Sequence, residues 1–248
     1  MAEQMDRPLM KRFEELACRA DRQGVWTDTE FLTLAEQAVL LRMRLPVPVS
    51  LHGGYPDAER RLAAFGSEAL FGFSYAPPIV CVRMAPAAER FADALTHRDF
   101  LGALMGLGVR REVMGDIRVE GSTGYLFCLR AIAPYLIDSL HEVKRTVIRC
   151  SAVPPPETLT QPPALSTLVV SSERLDALVA AAYRLSRGAG KTLVEQGRVS
   201  LNGRPTQNAG QTVPSGCIVS VRGMGRFCYE GLDRETKKGR LRVRVRLY

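Results

Sequence analysis

The chain has 248 residues, 46% of them hydrophobic and 24% charged, and 34 Lys and Arg against 26 Asp and Glu give a net charge of +8. This is the composition of an ordinary globular protein, long enough for two or three domains. No run approaches the ~18 apolar residues that cross a bilayer. The opening MAEQMDRPLMKRFEEL mixes acids and bases unlike a secretory signal or transit peptide, so the expected location is cytoplasmic, with no membrane partner. The six cysteines (Cys18, Cys81, Cys128, Cys150, Cys217, Cys228) form no C-x-x-C pair, and only three histidines accompany them. Buried reduced thiols are expected, with no disulfide framework, metal site or cofactor.

Residues 1–75 are expected to be mostly helical. Met10, Phe13, Leu16 and Ala17, then Phe31, Leu34, Ala38 and Leu41, recur at helical spacing, with Thr27 or Asp28 as cap of the second helix. Gly53-Gly54-Tyr55-Pro56 reads as a turn, followed by a short helix over Ala58–Arg61 capped by Asp57. Glycines before a helix can cradle a phosphate, but turn chemistry accounts for these.

From Pro78 to Val153 the elements come in a distinctive order. A strand at Ile79–Met84 precedes a helix opened by Thr96-His97-Arg98-Asp99, in which Asp99 completes a capping box. Strands at Asp116–Glu120 and Tyr125–Leu129 flank a Gly121–Gly124 turn, and a helix over Ala131–His141 leads to a strand at Arg145–Cys150. The sum is β-α-β-β-α-β, the ferredoxin-like plan shared by RNA-recognition motifs. Tyr125 and Phe127 share a face of one strand, as base stacking needs. No aromatic accompanies them on the first strand and the Lys/Arg-Gly-aromatic signature is missing, so a core or partner-facing place is the expected one for both rings.

Residues 153–167 hold five prolines and are expected to be extended and semi-rigid. There the charge balance changes. Residues 1–150 carry 19 cations and 19 anions, whereas residues 151–248 carry 15 against 7. A positive surplus confined to one segment points to a polyanionic partner. Ser171 or Ser172 is expected to cap a helix bearing Leu175, Leu178, Val179, Ala182 and Leu185, with Asp176 suiting its positive end. Ser186 caps a second, over Arg187–Gln196, that turns Ala189, Leu193 and Val194 inward and stops at Gly197. Strands are expected at Val199–Leu201, Ile218–Arg222 and Phe227–Leu232, and a last edge strand, Arg240–Tyr248, alternates Leu241, Val243, Val245 and Leu247 with Arg242, Arg244 and Arg246.

The start of the second helix is a ready phosphate site, with free amides, a favourable dipole, Ser186, Arg187 and Lys191. Arg174, Arg184, Arg198, Asn202 and Arg204 bracket the adjacent elements. Arg222 and Arg226 flank a Gly223-Met224-Gly225 tip that can approach a nucleic-acid backbone. These ten residues are the candidate RNA contacts.

Ser172-Glu173-Arg174-Leu175-Asp176, Leu185-Ser186-Arg187, Leu193–Val199, Leu201-Asn202-Gly203 and Val221–Phe227 resemble the RNA-binding domain named after ribosomal protein S-four. Upstream, Gly53-Gly54-Tyr55, Ala58-Glu59-Arg60, the stretch HRDFLGALMGLG from His97 and Gly115-Asp116-Ile117 are similar to the YlmH family of bacterial and plastid proteins. The resemblance spans nearly the whole chain. It implies a non-catalytic, ribosome-associated protein engaging ribosomal RNA or tRNA on large subunits, including obstructed ones, in nascent-chain quality control. Two departures stand out: Cys217 replaces an acidic residue, and Gly188 and Gly190 weaken the start of the recognition helix, leaving it mobile until bound.

The expected fold is therefore α+β. It comprises a helical region at 1–75, a ferredoxin-like domain at 76–153, a Pro-rich linker at 154–167 and an S-four-type domain of two helices and an antiparallel sheet at 168–248. An enzymatic alternative starts from Arg174-Leu175-Asp176, since pseudouridine synthases use an Arg-Leu-Asp aspartate beside this kind of domain. Yet the tripeptide lies in the domain's own first helix, and the rest of the chain is too small for a synthase domain. No Gly-rich strand-to-helix loop marks a methyltransferase. His97 and Asp99 near Cys81 make a poor acid–base pair, because capping already employs Asp99. No catalytic residue and no small-molecule substrate are expected. The remaining alternative is a protein-interaction scaffold whose basic tail is incidental.

Overall fold

The computed structural model describes residues 2–91, 93–161, 163–236 and 239–248. It combines helices with several antiparallel sheets in two compact units, residues 1–162 and 163–248. Among the described residues no helix is long and apolar enough to cross a membrane.

The first unit opens with α1 (Ala2–Gln23), β1 (Thr27–Asp28), α2 (Leu34–Leu40), β2 (Val49–His52), β3 (Leu62–Phe65) and α3 (Glu68–Phe71). Helical spacing puts Phe13, Ala17 and Ala20 on the buried face of α1, where they pack with Leu32, Leu40 and Phe65. The expectation of a mostly helical region fails for 49–65, because β1, β3 and β2 form a sheet in that order. Thr27 and Asp28 lie in β1. The cap of α2 is Thr33, whose amide and hydroxyl donate to the Glu36 carboxylate at 2.7 and 2.8 Å. Residues 58–60 form no helix after Asp57; the Ala58 amide donates to the Tyr55 carbonyl, and those of Glu59 and Arg60 are drawn to a carboxylate described below.

The unit continues with β4 (Ile79–Pro86), α4 (His97–Gly106), β5 (Met114–Glu120), β6 (Thr123–Leu129), α5 (Ala133–Ser139), β7 (Glu142–Val143), β8 (Thr146–Val153) and α6 (Glu157–Thr160). The strands pair antiparallel in the order β5-β6-β4-β8-β7. Phe100 and Leu104 of α4 and Leu136 of α5 bury against Val82, Met84, Leu126 and Cys128 on one face. Each such side chain contributes about 1.5–3 kcal/mol. The other face carries Cys81 and Phe127, covered by Tyr55, Ala58 and Leu159. The Tyr55 and Phe127 rings lie 4.8 Å apart, so Phe127 belongs to the core and no base can stack on it. The capping box of α4 is formed: Thr96 donates its amide and hydroxyl to Asp99 at 2.7 and 2.6 Å.

The second unit runs β9 (Leu165–Val170), α7 (Leu175–Ala182), α8 (Arg187–Glu195), β10 (Val199–Leu201), β11 (Arg204–Thr206), β12 (Cys217–Val221), β13 (Gly225–Glu235) and β14 (Leu241–Leu247). Its sheet has the order β11-β10-β12-β13-β14-β9, and α7 and α8 cover one face through Leu175, Leu178, Val179 and Val194. Several expectations are corrected here. The stretch 154–167 is not simply extended, since α6 and the start of β9 fall within it. Arg174, not Ser171 or Ser172, is the N-cap of α7, because Leu175 and Asp176 donate their amides to Gln211 and Ala209 carbonyls instead. On α8 Val194 and Leu193 face inward as expected, but Ala189 is exposed and Gly190 takes the buried place beside it. Finally, β14 is no edge strand: it pairs with β13 on one side and β9 on the other, and only Val243 and Val245 of its alternating residues are fully buried.

Candidate RNA interface

The corner between α7 and α8 is made by Arg184, whose φ of +53° lies in the left-handed region. Ser186 then caps α8, its hydroxyl accepting from the Ala189 amide at 3.1 Å. Gly190 allows the helices to touch: a Cβ there would lie 2.6 Å from the Asp176 carbonyl oxygen and 3.1 Å from the Ala180 amide. Its presence reflects close packing rather than mobility, whereas Gly188 meets only the Ser186 hydroxyl at 4.0 Å.

Asp176 organises this edge. Its side chain is 3% exposed, and it accepts from Arg174 Nε at 3.2 Å and Nη2 at 3.0 Å, a forked pair. Arg187 approaches the same carboxylate, Nε to Oδ2, at 3.7 Å and donates to the Ser171 hydroxyl at 3.3 Å. Both guanidinium-bearing side chains stay about half exposed, 43% and 56%. One buried anion thus holds two surface cations beside the amide end of α8, the arrangement that binds phosphate oxygens. Nothing about Asp176 beyond its helix-start position marks this role in the sequence; an Arg two residues ahead was the available signal.

The other candidate residues divide. Lys191 lies one turn along α8 in an exposed pair with Glu195 at 3.5 Å, an interaction worth little. Arg198 donates Nη2 to the Arg222 carbonyl at 3.1 Å, and the Arg222 amide returns a bond to Arg198, joining the end of α8 to the Gly223–Gly225 tip. Asn202 (φ +46°) and Gly203 (φ +75°) make the β10–β11 turn. The Asn202 side-chain carbonyl accepts from the Ile218 amide at 2.9 Å, which gives that residue a backbone-locking place. Arg204 is half-buried in β11. Arg226 is not at the helix edge. Its neighbour Phe227 faces the core, and its own guanidinium carbon sits 4.7 Å from the Tyr248 ring centroid on the opposite side of the sheet.

In the first unit the Gly53-Gly54-Tyr55, Ala58-Glu59-Arg60 and Gly115-Asp116-Ile117 motifs meet at Asp116, beside a register irregularity of β5. The carboxylate accepts from the Tyr55 hydroxyl at 2.6 Å and from the Glu59 and Arg60 amides at 2.6 and 3.1 Å. Arg60 reaches the Met114, Phe31 and Arg111 carbonyls, and Arg111 the Met114 and Gly115 carbonyls, between 2.8 and 3.2 Å. Burial pushes the Asp116 carboxyl up against the opposing pull of the Tyr55 hydroxyl. Burial, then the Arg111 charge, lowers His97. Asp99 is committed to Thr96 and to Lys144 at 2.9 Å, and burial pushes the Cys81 thiol up to about 11. Among the described residues no group of three or more His, Cys, Asp or Glu is arranged to hold a metal ion.

Residues 82–157 match the family model described as "Putative RNA-binding domain in YlmH", and residues 173–219 match the S4 domain. Together these define the class, a protein with two RNA-binding modules in tandem. Ribosome-associated protein quality control protein P2 of Bacillus subtilis (strain 168) is 30% identical over 224 residues, 87% of this chain and 84% of that protein. The chain belongs to the YlmH family. Among solved structures, the cell division protein ylmH from Streptococcus pneumoniae aligns with 62% of this chain and 93% of its own, at 18% identity and a TM-score of 0.48.

Proposed function

We propose that this protein is a non-catalytic, cytoplasmic RNA-binding protein that engages structured ribosomal RNA or tRNA on the large ribosomal subunit and serves nascent-chain quality control. The name of its Bacillus relative supports the ribosomal setting. The observation that carries the reading is the Asp176 carboxylate holding Arg174 and Arg187 at the amide end of α8. The same contacts weigh against the synthase alternative, because that aspartate is buried in ion pairs instead of facing a cleft. We assign the RNA-contacting edge to Arg174, Arg184, Ser186, Arg187 and Lys191, extended by Arg198, Arg204 and Arg222. The antiparallel order β5-β6-β4-β8 supports a ferredoxin-like reading of the middle of the chain. The test is co-sedimentation with large ribosomal subunits at low salt. The double variant Arg187→Ala/Lys191→Ala is expected to leave the pellet while wild type remains in it; undiminished pelleting of that variant overturns the assignment.

A further inference from the structure

We propose that the sheet face of the second unit turned away from α7 and α8 is a second RNA site, which takes the phosphate backbone of a segment other than the one at the helix edge. The proposal rests on the RNA-binding reading above and extends it to two points of attachment.

Because Val243 and Val245 are fully buried, the intervening residues of β14 point the other way. Arg242, Arg244 and Arg246 therefore form a ladder on that face, with rungs about 7 Å apart along the strand. Arg226 of β13 joins them, its guanidinium over the Tyr248 ring. Arg234 and Arg242 are register partners across β13 and β14. Directly opposed side chains share a face at close range, so two cations there repel and weaken the sheet. Acidic compensation is incomplete. Glu230 binds Arg246 at 2.8 Å and Asp233 lies 3.9 Å from Arg242, while Arg234 and Arg244 stand exposed.

The fold accounts for only part of this charge: Arg246 pairs with Glu230 and donates to the Pro163 carbonyl at 3.0 Å. An edge strand gains from outward cations, which block pairing with other chains. However, β14 has a hydrogen-bonded neighbour on each side, and that benefit is absent. Beside the ladder, Val169 and Leu165 of β9 stand in register with Arg242 and Arg246, 51% and 49% exposed, and offer an apolar strip for ribose and base edges. Phosphate is the fitting partner because the ladder is built of guanidiniums, whose planar forks match phosphate oxygens.

The test uses the full chain with donor-labelled and acceptor-labelled copies of one ribosomal RNA hairpin. Wild type is expected to bring the two labels together, and Arg242→Gln/Arg244→Gln to abolish that energy transfer while still binding one hairpin. The slope of log affinity against log salt should fall by about 1.4–1.8 in the sheet variant, as expected for two lost phosphate contacts. A sheet variant with unchanged transfer and unchanged slope overturns the proposal. So does one that keeps both and loses only binding to a polyglutamate peptide, which would assign the face to an acidic protein. Failure of wild type to bind any hairpin instead removes the RNA reading itself, and is told apart because no variant is needed to see it.

Discussion

Asp176, in the first turn of α7, holds Arg187, in the first turn of α8: the carboxylate oxygen lies 3.7 Å from Nε across a corner turned by Arg184. Arg174 completes the contact from the other side at 3.0 Å. Two surface guanidiniums are thus oriented by a charge that does not reach the surface.

Asp176→Asn is expected to lower RNA affinity about as much as loss of one guanidinium contact, although Asp176 itself touches no solvent-facing ligand. It should also lower stability by about 2 kcal/mol, a value discounted because both arginines remain half exposed. Urea denaturation and RNA-binding anisotropy of the same variant check the two effects. Unaltered affinity in a destabilised protein would leave Asp176 with a folding role alone.

The two glycines of α8 should respond in opposite directions. Gly190→Ala places a methyl group 2.6 Å from a backbone carbonyl and should destabilise the unit despite the better helix propensity of alanine. Gly188→Ala meets no such obstacle and should stabilise by up to about 1 kcal/mol, less in a first turn. Denaturant midpoints of the two variants measure the contrast.

Tyr55→Phe removes the hydroxyl that donates to Asp116 at 2.6 Å and leaves a buried carboxylate one partner short. The expected cost is about 1.5–3 kcal/mol. Limited proteolysis should reveal new cleavage within 53–60, the loop whose amides share that carboxylate; an unchanged digestion pattern would contradict the role given to Asp116.

The Asp99 carboxyl is held down to about 2 by the Thr96 hydroxyl first and then by Lys144. Its folded value lies below the ordinary 3.8, so its contribution is present above that pH and disappears as pH falls towards 2. Asp99→Asn should therefore flatten the acid limb of the stability profile between about pH 4 and 2, measured by thermal melting, and leave the neutral-to-alkaline limb unchanged in shape.

What the sequence reveals of this molecule follows from the range of the forces involved. The caps at Thr96 and Ser186 and the Asn202-Gly203 turn are local, written in three or four consecutive residues, and the structure contains each. Strand β3 is different: Leu62–Phe65 is buried at all four positions, so no alternation separates it from a helix, and only its partners β1 and β2 define it. The clamp on Arg187 and the gathering of Tyr55, Arg60 and Arg111 around Asp116 depend on a corner and a bulge whose geometry no periodicity encodes. The position of β14 inside its sheet belongs to the same kind, since alternation describes a strand but not its neighbours.

That position has a consequence for how the protein is born. Residues 165–170 hydrogen-bond within their sheet to β14, and 70 further residues separate the two strands in the chain. While translation is under way, β9 and the floor beneath α7 wait for a partner not yet made, and a strand pairing of such long sequence range is slow to form. The unit that matches the S4 domain therefore reaches its final shape only after β14 has emerged, because β9 has no strand to pair with before then.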